Sequence, residues 1–404
     1  MMDFFSDDVR RNPYAVYAQM RANSPAFYVP PPFDGWLIFD YDSVKRVLTD
    51  HTLFSSCVPA PRHWFVFQDP PSHTKMRALI SRAFTPRMVT ELEPRVRELS
   101  RSLLDRVAEQ GSMDLALDYA VPLPMKVIAG MIGIPSADWA VFKAWSDTIL
   151  KLSYARSGGE AGERSTREFA QVTAEMSAYL QEMSKARRAQ PRADLLTNLL
   201  EAEVEGQRLA HEEILGFFQL LIVGGQDTTA NLINNAVLSL VENPAQLLRL
   251  QTQPHLLGTA IEEVLRYRSP LQWVMRTPRQ DIEMHGQRIP AGKLLLPMIG
   301  SANRDARQFP KADQFDITRN PNPHIAFGHG IHACLGAALA RLEARIALPD
   351  LLGRLMNLEV VGMDCWPPRK ALHVHGPASL PIRFKPAAPR VATASLTRPI
   401  GSPE

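Results

Sequence analysis

Cysteine is scarce in this chain: 404 residues contain three, Cys57, Cys334 and Cys365. So few, and an odd number, exclude a disulfide framework, so any that matters is a ligand, a nucleophile or buried filler. An excess of charge is also missing. Lys plus Arg at 45 against Asp plus Glu at 42 leave a net +3, with no block of like charge, too little for a nucleic-acid-binding protein. Long apolar runs are lacking too. The longest strongly apolar stretch, Ile214 to Gly225, is about twelve residues where a membrane span needs roughly twenty, and Asp3, Asp7 and Asp8 stand where a signal would be basic and then apolar. A cytoplasmic protein without a membrane anchor is therefore expected. No Gly-x-Gly-x-x-Gly follows a strand and no cysteine quartet occurs, so the chain has neither a flavin-binding segment nor an iron–sulfur cluster of its own.

What is present is an ordinary globular composition, 45% apolar and 22% charged, able to bury a large core. Helical periodicity dominates after the first sixty residues. Met88, Leu92, Val96, Leu99, Leu103 and Val107 recur every three or four positions, which predicts one helix from Thr85-Pro86 to Gly111. A second runs from about Thr166 to Ala189, closing in Lys185, Arg187 and Arg188 before Pro191. A third, Glu212 to Val241, is apolar all round, as a helix threaded through a protein's centre must be. Strand signals are confined to Trp36–Phe39 and to Ile282–Ile289, which turns at Pro290-Ala291-Gly292 into Lys293–Met298. The fold class expected is mainly α with small β-sheets, with no βαβ alternation and no internal repeat. Residues 1–386 read as a single domain, and 387–404, rich in Pro, Ala, Ser and Thr, as a disordered tail.

The most informative stretch is Phe327-Gly328-His329-Gly330-Ile331-His332-Ala333-Cys334-Leu335-Gly336. Glycines permit tight turns and close approach to a bulky partner, and a helix follows with Leu335, Leu339, Leu342 and Ile346 on one face before Pro349 kinks or ends it. A cysteine just ahead of a helix meets free N–H groups and the positive end of the dipole, which stabilise a thiolate able to bind a metal. A small buried apolar residue in a Gly-rich loop fits these ten residues equally well. Zinc does not fit: no second cysteine is near, and His329 and His332 have no matching pair elsewhere.

With Phe327, Gly328, Gly330, Cys334 and Gly336 in place, this decapeptide resembles the haem-binding signature of the cytochrome P450 superfamily, in its soluble bacterial branch. The likeness runs from Asn12-Pro13-Tyr14 to the strand near Ile382. It implies the cytochrome P450 fold, with haem b (iron protoporphyrin IX) between the long central helix and the cysteine-loop helix, and Cys334 as the axial thiolate that favours O–O cleavage. Phe327, Gly328 and Gly336 are then cofactor-binding residues.

Four further groups of residues bear on this. Glu263 and Arg266, three apart on a helix, are by spacing alone a solvated surface pair. The resemblance instead buries them behind the haem with Arg319, as a structural trio. His73 and Arg77, four apart on one helix face, can meet the haem's two carboxylates, and the resemblance adds Arg276 and His332 to that clamp. On the central helix, Gly224 and Gly225 each cost about 1 kcal/mol relative to alanine, so a helix that keeps them makes room for something, here dioxygen, or else softens a helix–helix contact. Phe217, Leu221, Gly224 or Gly225, Thr228 and Leu232 share a stripe with Ile214, and Asp227 with Thr228 makes an acid–alcohol pair suited to proton delivery. Gly224 stands where the family has alanine, and Gln226 is also a departure. Trp64, Phe65 and Phe67 of the segment 59–67, with Phe217, Phe218 and Val274, are expected substrate-pocket walls, or ordinary core. Arg62 and His63 are candidate anchors for a carboxylate or keto oxygen.

The expected function is a haem-thiolate monooxygenase that hydroxylates an apolar steroid, terpenoid or fatty acid with O₂ and two electrons from an external ferredoxin and ferredoxin reductase. The ferredoxin is expected to dock near Arg341, Arg345 and Lys75. Tailoring of a macrolide or other polyketide would use the same residues. A haem-thiolate sensor or carrier, or a helical protein without haem, are the non-enzymatic alternatives, and the Asp227–Thr228 pair speaks against the sensor.

Overall fold

A computed structural model describes residues 6–386 apart from 32, 59, 60, 62 and 153–158. The expected tail 387–404 and Arg62 lie outside the described residues. The central helix runs His211–Glu242, close to its expected span. Glu213 accepts the N–H of Ala210 at 2.8 Å at its start, and a new helix begins at Pro244 beyond its end. Both flanks are buried as all-round apolarity requires, with Ile214, Phe217 and Phe218 in one cluster and Leu232, Ala236 and Leu240 in another.

Around it pack the helices Pro122–Ile132, Trp139–Leu152, Gly159–Ala189, Leu257–Tyr267 and Ala337–Arg354, while Ser72–Ala83 packs on Leu195–Glu201. Three expectations need correction. The predicted single helix 85–111 is broken into Pro86–Glu91 and Glu93–Asp105, because Pro94 has no N–H to donate and its ring clashes with the carbonyl four residues back. Pro349 does not end the last helix, which continues to Arg354; Ile346, Leu348 and Leu351 are buried on either side of it, and that packing outweighs one lost bond. The stretch Ile214–Gly225 is also not the longest apolar one. Leu115–Ile132 is as long and apolar as a membrane span, and 67% of it is buried inside this fold, where it packs on the central helix.

The sheets are small. Gly35–Ile38 pairs antiparallel with Ala26–Val29 and parallel with Leu294–Pro297. The predicted strand 282–289 is a hairpin, Ile282–Met284 against Gln287–Ile289, turning at His285-Gly286. A third sheet joins Ser112–Asp114, Pro381–Pro386 and Leu355–Val360.

Candidate functional site

Gly328 and Gly330 take φ of +72° and +73°, a left-handed conformation that a side chain would strain, and so fold the cysteine loop back on itself. Cys334 N–H donates to Phe327 O at 2.8 Å, closing the turn just ahead of the helix Ala337–Arg354. Cys334 is exposed, yet the protein atoms packed around its sulfur push the thiol's pKa up. The N–H groups of Gly336 and Ala337 and the guanidinium groups of Arg77 and Arg341 pull the other way. Burial outweighs them, so the sulfur is held as a thiolate only when a cationic partner binds it. A Cβ at Gly336 would clear the sulfur by 3.9 Å, so that glycine contributes its N–H rather than its small size.

Opposite, the otherwise buried central helix opens at Leu220, Leu221, Val223, Gly224, Gly225 and Thr228. The stripe expected from sequence is therefore uneven: Ile214, Phe217 and Leu232 are buried, and its middle is open. Gly224 and Thr228, one turn apart, share the open face, and a Cβ on Gly224 would meet nothing. Thr228 Oγ1 donates to Gly224 O. Gly225 corrects the reading of two glycines as one gap: a Cβ there would come within 2.7 Å of Ile128 Cδ1, so it serves helix packing and not the cofactor side. Asp227 is buried on another face, where its carboxylate lies 3.8 Å from Arg369 Nη1. Burial raises its pKa and Arg369 opposes the rise.

Beside the cysteine loop four nitrogen-bearing side chains converge. His73 and His332 have ring centroids 4.0 Å apart. Burial, reinforced by Arg77 beside His73 and Arg276 beside His332, lowers their pKa values to about 4 and about 3, so both rings are neutral. Among the described residues, both nitrogens of His73 and Nδ1 of His332 are buried without a hydrogen-bond partner, while His332 Nε2 pairs with Ser56 Oγ at 2.9 Å. Arg276, 6% exposed, donates to the carbonyl of its neighbour Met275, and Arg77 to Ala333 O. Asp69, the nearest carboxylate, is taken by Ser55, Ser56 and Arg279. One buried and one half-buried cation, Arg276 and Arg77, and orphaned imidazole nitrogens beside an exposed cysteine form a donor set for a ligand carrying carboxylates, as haem does. The residues present fit that group.

Glu263 and Arg266 are fully buried, which rules out a solvated surface pair. Arg266 holds Glu263 through two bonds of 2.8 Å, Arg319 Nε adds contacts of 3.1 and 3.2 Å, and the Asp316 N–H and Asn322 Nδ2 complete the carboxylate's shell. Sequence reasoning missed the neighbouring Glu262. Arg341 grips it through two bonds of 2.7 Å and His324 Nε2 lies at 3.0 Å. Burial raises the pKa of Glu262, but these two partners bring it down to about 2. Arg341 also lies 4.5 Å from the Phe327 ring centroid, so it braces the cysteine loop and is not a free surface cation. Lys75 and Arg345 are exposed.

The expected pocket walls divide. Trp64, Phe65, Phe217 and Phe218 are buried in the core, and Phe67 and Val274 are partly open. Phe65 bridges the cation cluster to the central helix, 5.9 Å from the His73 ring and 6.2 Å from that of Phe217. Trp64 anchors its loop by donating to Gln219 Oε1 at 3.0 Å, and Gln219 in turn donates to Thr173 Oγ1 at 2.9 Å. The loop lies directly on the helix at Gly216, where a Cβ would come within 2.7 Å of His63 Cβ, so His63 is a docking contact of the loop. The signal for Gly216 was available as a third glycine inside the central helix; Gln219 and Arg369 gave none.

The family model described as Cytochrome P450 matches residues 157–360. "Putative cytochrome P450 YjiB" of Bacillus subtilis (strain 168) is 40% identical over 356 residues, covering 87% of this chain and 89% of that one. "Vitamin D(3) 25-hydroxylase" of Pseudonocardia autotrophica is 36% identical over 95% of this chain and 96% of its own length. The crystal structure of CYP109E1 from Bacillus megaterium in complex with testosterone superposes with a TM-score of 0.84 at 37% identity, over 92% of this chain and 99% of that one.

Proposed function

The chain belongs to the cytochrome P450 family, and from that premise we propose which of its residues run the family's reaction and on what class of substrate. It is a haem-thiolate monooxygenase that hydroxylates an apolar substrate with O₂ and electrons from a redox partner. Haem, when bound, supplies the reductive activation of O₂. Cys334 would hold it through its thiolate, with the Gly336 and Ala337 N–H groups steadying the sulfur charge. His73, Arg77, Arg276 and His332 would hold its carboxylates, and Phe327 and Gly328 shape the cysteine loop. Gly224 leaves room on the open face of the central helix, where the Thr228 hydroxyl, donating to Gly224 O, would pass a proton on. Asp227, the adjoining acid, resupplies that proton. Glu263, Arg266 and Arg319 keep the framework behind the cysteine loop in place.

The substrate is a steroid or a similarly sized polycyclic hydrocarbon. The partly open apolar side chains Phe67 and Val274, with Leu220, Leu221 and Val223 on the opened stretch of the central helix, support this, since each CH₂ they bury yields about 0.8 kcal/mol. The relatives whose names carry vitamin D(3) and testosterone support it too. A ferredoxin with its reductase is the electron source, docking on the cysteine side around Lys75 and Arg345; Arg341 is withdrawn from that surface by Glu262. One observation carries the reading: a cysteine cradled by N–H groups lies beside Arg77, Arg276 and orphaned imidazole nitrogens, a donor set for a carboxylate-bearing ligand.

Reduced protein treated with carbon monoxide is expected to show the red-shifted Soret band of thiolate ligation, and Cys334→Ser to lose it; a band that survives the substitution overturns the ligand assignment. Titrating testosterone, a long-chain fatty acid and a macrolide against the haem spectrum tests the substrate class. Steroids should bind tightest, and a response confined to either of the others refutes that part.

A further inference from the structure

The acid of the relay has a partner from a distant part of the chain. Arg369 belongs to the segment 368–377, which closes on itself: Arg369 N–H donates to Gly376 O at 3.0 Å and Pro368 bridges to Pro377. This segment is pressed against the central helix, for a Cβ on Gly376 would come within 2.6 Å of Asn231 Cγ. Asn231 is fully buried one turn beyond Asp227. The Arg369 side chain spans both residues, with Nη1 3.8 Å from Asp227 Oδ1 and Nε donating to Asn231 Oδ1 at 3.4 Å. Its own side chain is 14% exposed and that of Asp227 is 6% exposed, so the pair is largely withheld from solvent and weakly screened. The other charge bearing on Asp227 is Asp147, from the helix Trp139–Leu152, which opposes ionisation and is itself paired with Lys143 at 2.6 Å. On that same side Ser146 bonds Gln226, fixing the two helices together next to the acid.

We infer that Arg369 is a positioning residue for proton delivery, holding the Asp227 carboxylate on the face of the central helix turned away from Gly224 and Thr228. The inference rests on the reading of Asp227 and Thr228 as the relay. A proton taken from solvent on the Arg369 side forms the Asp227 O–H; its transfer toward the Thr228 hydroxyl breaks that bond and returns the carboxylate to Arg369. Without the guanidinium, burial acts on Asp227 with only Asp147 beside it, so the carboxyl holds its proton to higher pH and loses its tether.

The test compares haem-loaded wild type with Arg369→Met, Arg369→Lys and Asp227→Asn. Difference infrared spectroscopy follows the carboxyl band that disappears in Asp227→Asn, and a parallel assay follows product formed per electron pair as a function of pH. Arg369→Met should move the carboxyl midpoint up by about 1–3 pH units. The pH above which coupling falls should rise by the same amount, and Arg369→Lys should restore most of both. A midpoint that stays in place overturns the inference, as does a midpoint that moves while coupling in Arg369→Met keeps its wild-type pH profile and Asp227→Asn loses coupling. If Asp227→Asn itself couples normally, the relay reading has failed and the inference falls with it. Should Arg369→Met not take up haem, Arg369→Gln removes the charge while keeping a donor for Asn231, and the same outcomes decide.

Discussion

At the scale of single residues, Glu263 places one carboxylate against two guanidinium groups in a site with no solvent contact. The pair survives there because every oxygen is satisfied: Arg266 and Arg319, a backbone N–H and an amide donate to it, and Arg266 Nη1 spends its remaining hydrogens on Asn303 O and Ala312 O. Glu263→Gln removes the charge and leaves two arginines facing a neutral amide, at a cost of about 3–5 kcal/mol. The expected outcome is a protein that expresses poorly and carries little haem, measured as Soret absorbance per mole of protein. Normal haem content at normal thermal stability would show that the trio does not hold the fold. Removing a surface pair such as Arg87–Glu91, where both partners are well exposed, should change neither measurement.

At the scale of elements, the loop 63–67 is coupled to two helices through one amide. Gln219, 3% exposed, accepts from the Trp64 indole and donates to Thr173 of the helix Gly159–Ala189. Gln219→Leu fills the space but leaves the indole N–H and the threonine hydroxyl unpaired, about 1–3 kcal/mol each. The loop should then lift from the helix more often. Substrate titrations should show an apparent Kd roughly tenfold weaker, since about 1.4 kcal/mol is a factor of ten, with the carbon monoxide spectrum unchanged. Unaltered affinity would place the loop outside the path of substrate binding. This element also marks where sequence reading stops. The central helix was legible within a residue or so at each end because apolarity on every face has one structural meaning, whereas Trp64 and Phe65 are aromatic whether they line a pocket or fill a core. Gly224 and Gly225 look alike in sequence, and only the neighbour Ile128 separates them. The strands Leu355–Val360 and Pro381–Pro386 gave a weak signal, being short and mostly exposed on one side.

At the scale of the whole molecule, pairings between distant segments were illegible for a plain reason: spacing rules reach one or two turns, and His375 is tied to residues up to 365 positions away. Its ring pairs through Nδ1 with Arg10 O at 3.0 Å and meets Tyr14 and Trp366 edge-on, while its own carbonyl accepts from Asn235 of the central helix. One residue thus joins the start of the chain, its last described segment and its core. Burial, with repulsion from Arg268, lowers the histidine's pKa from 6.5 to about 3. The folded state therefore refuses a proton that the unfolded chain accepts, so stability is complete above about 6.5 and falls as the pH drops toward about 3. Within that window this one group costs about 1.4 kcal/mol per pH unit. His375→Asn should lower stability at pH 7 yet flatten its decline on acidification by one proton's worth, the residual slope belonging to groups such as His73 and His332. Thermal melts of wild type and variant between pH 7 and pH 4 read this directly, and parallel curves would mean that His375 titrates no differently in the folded protein than in the unfolded chain.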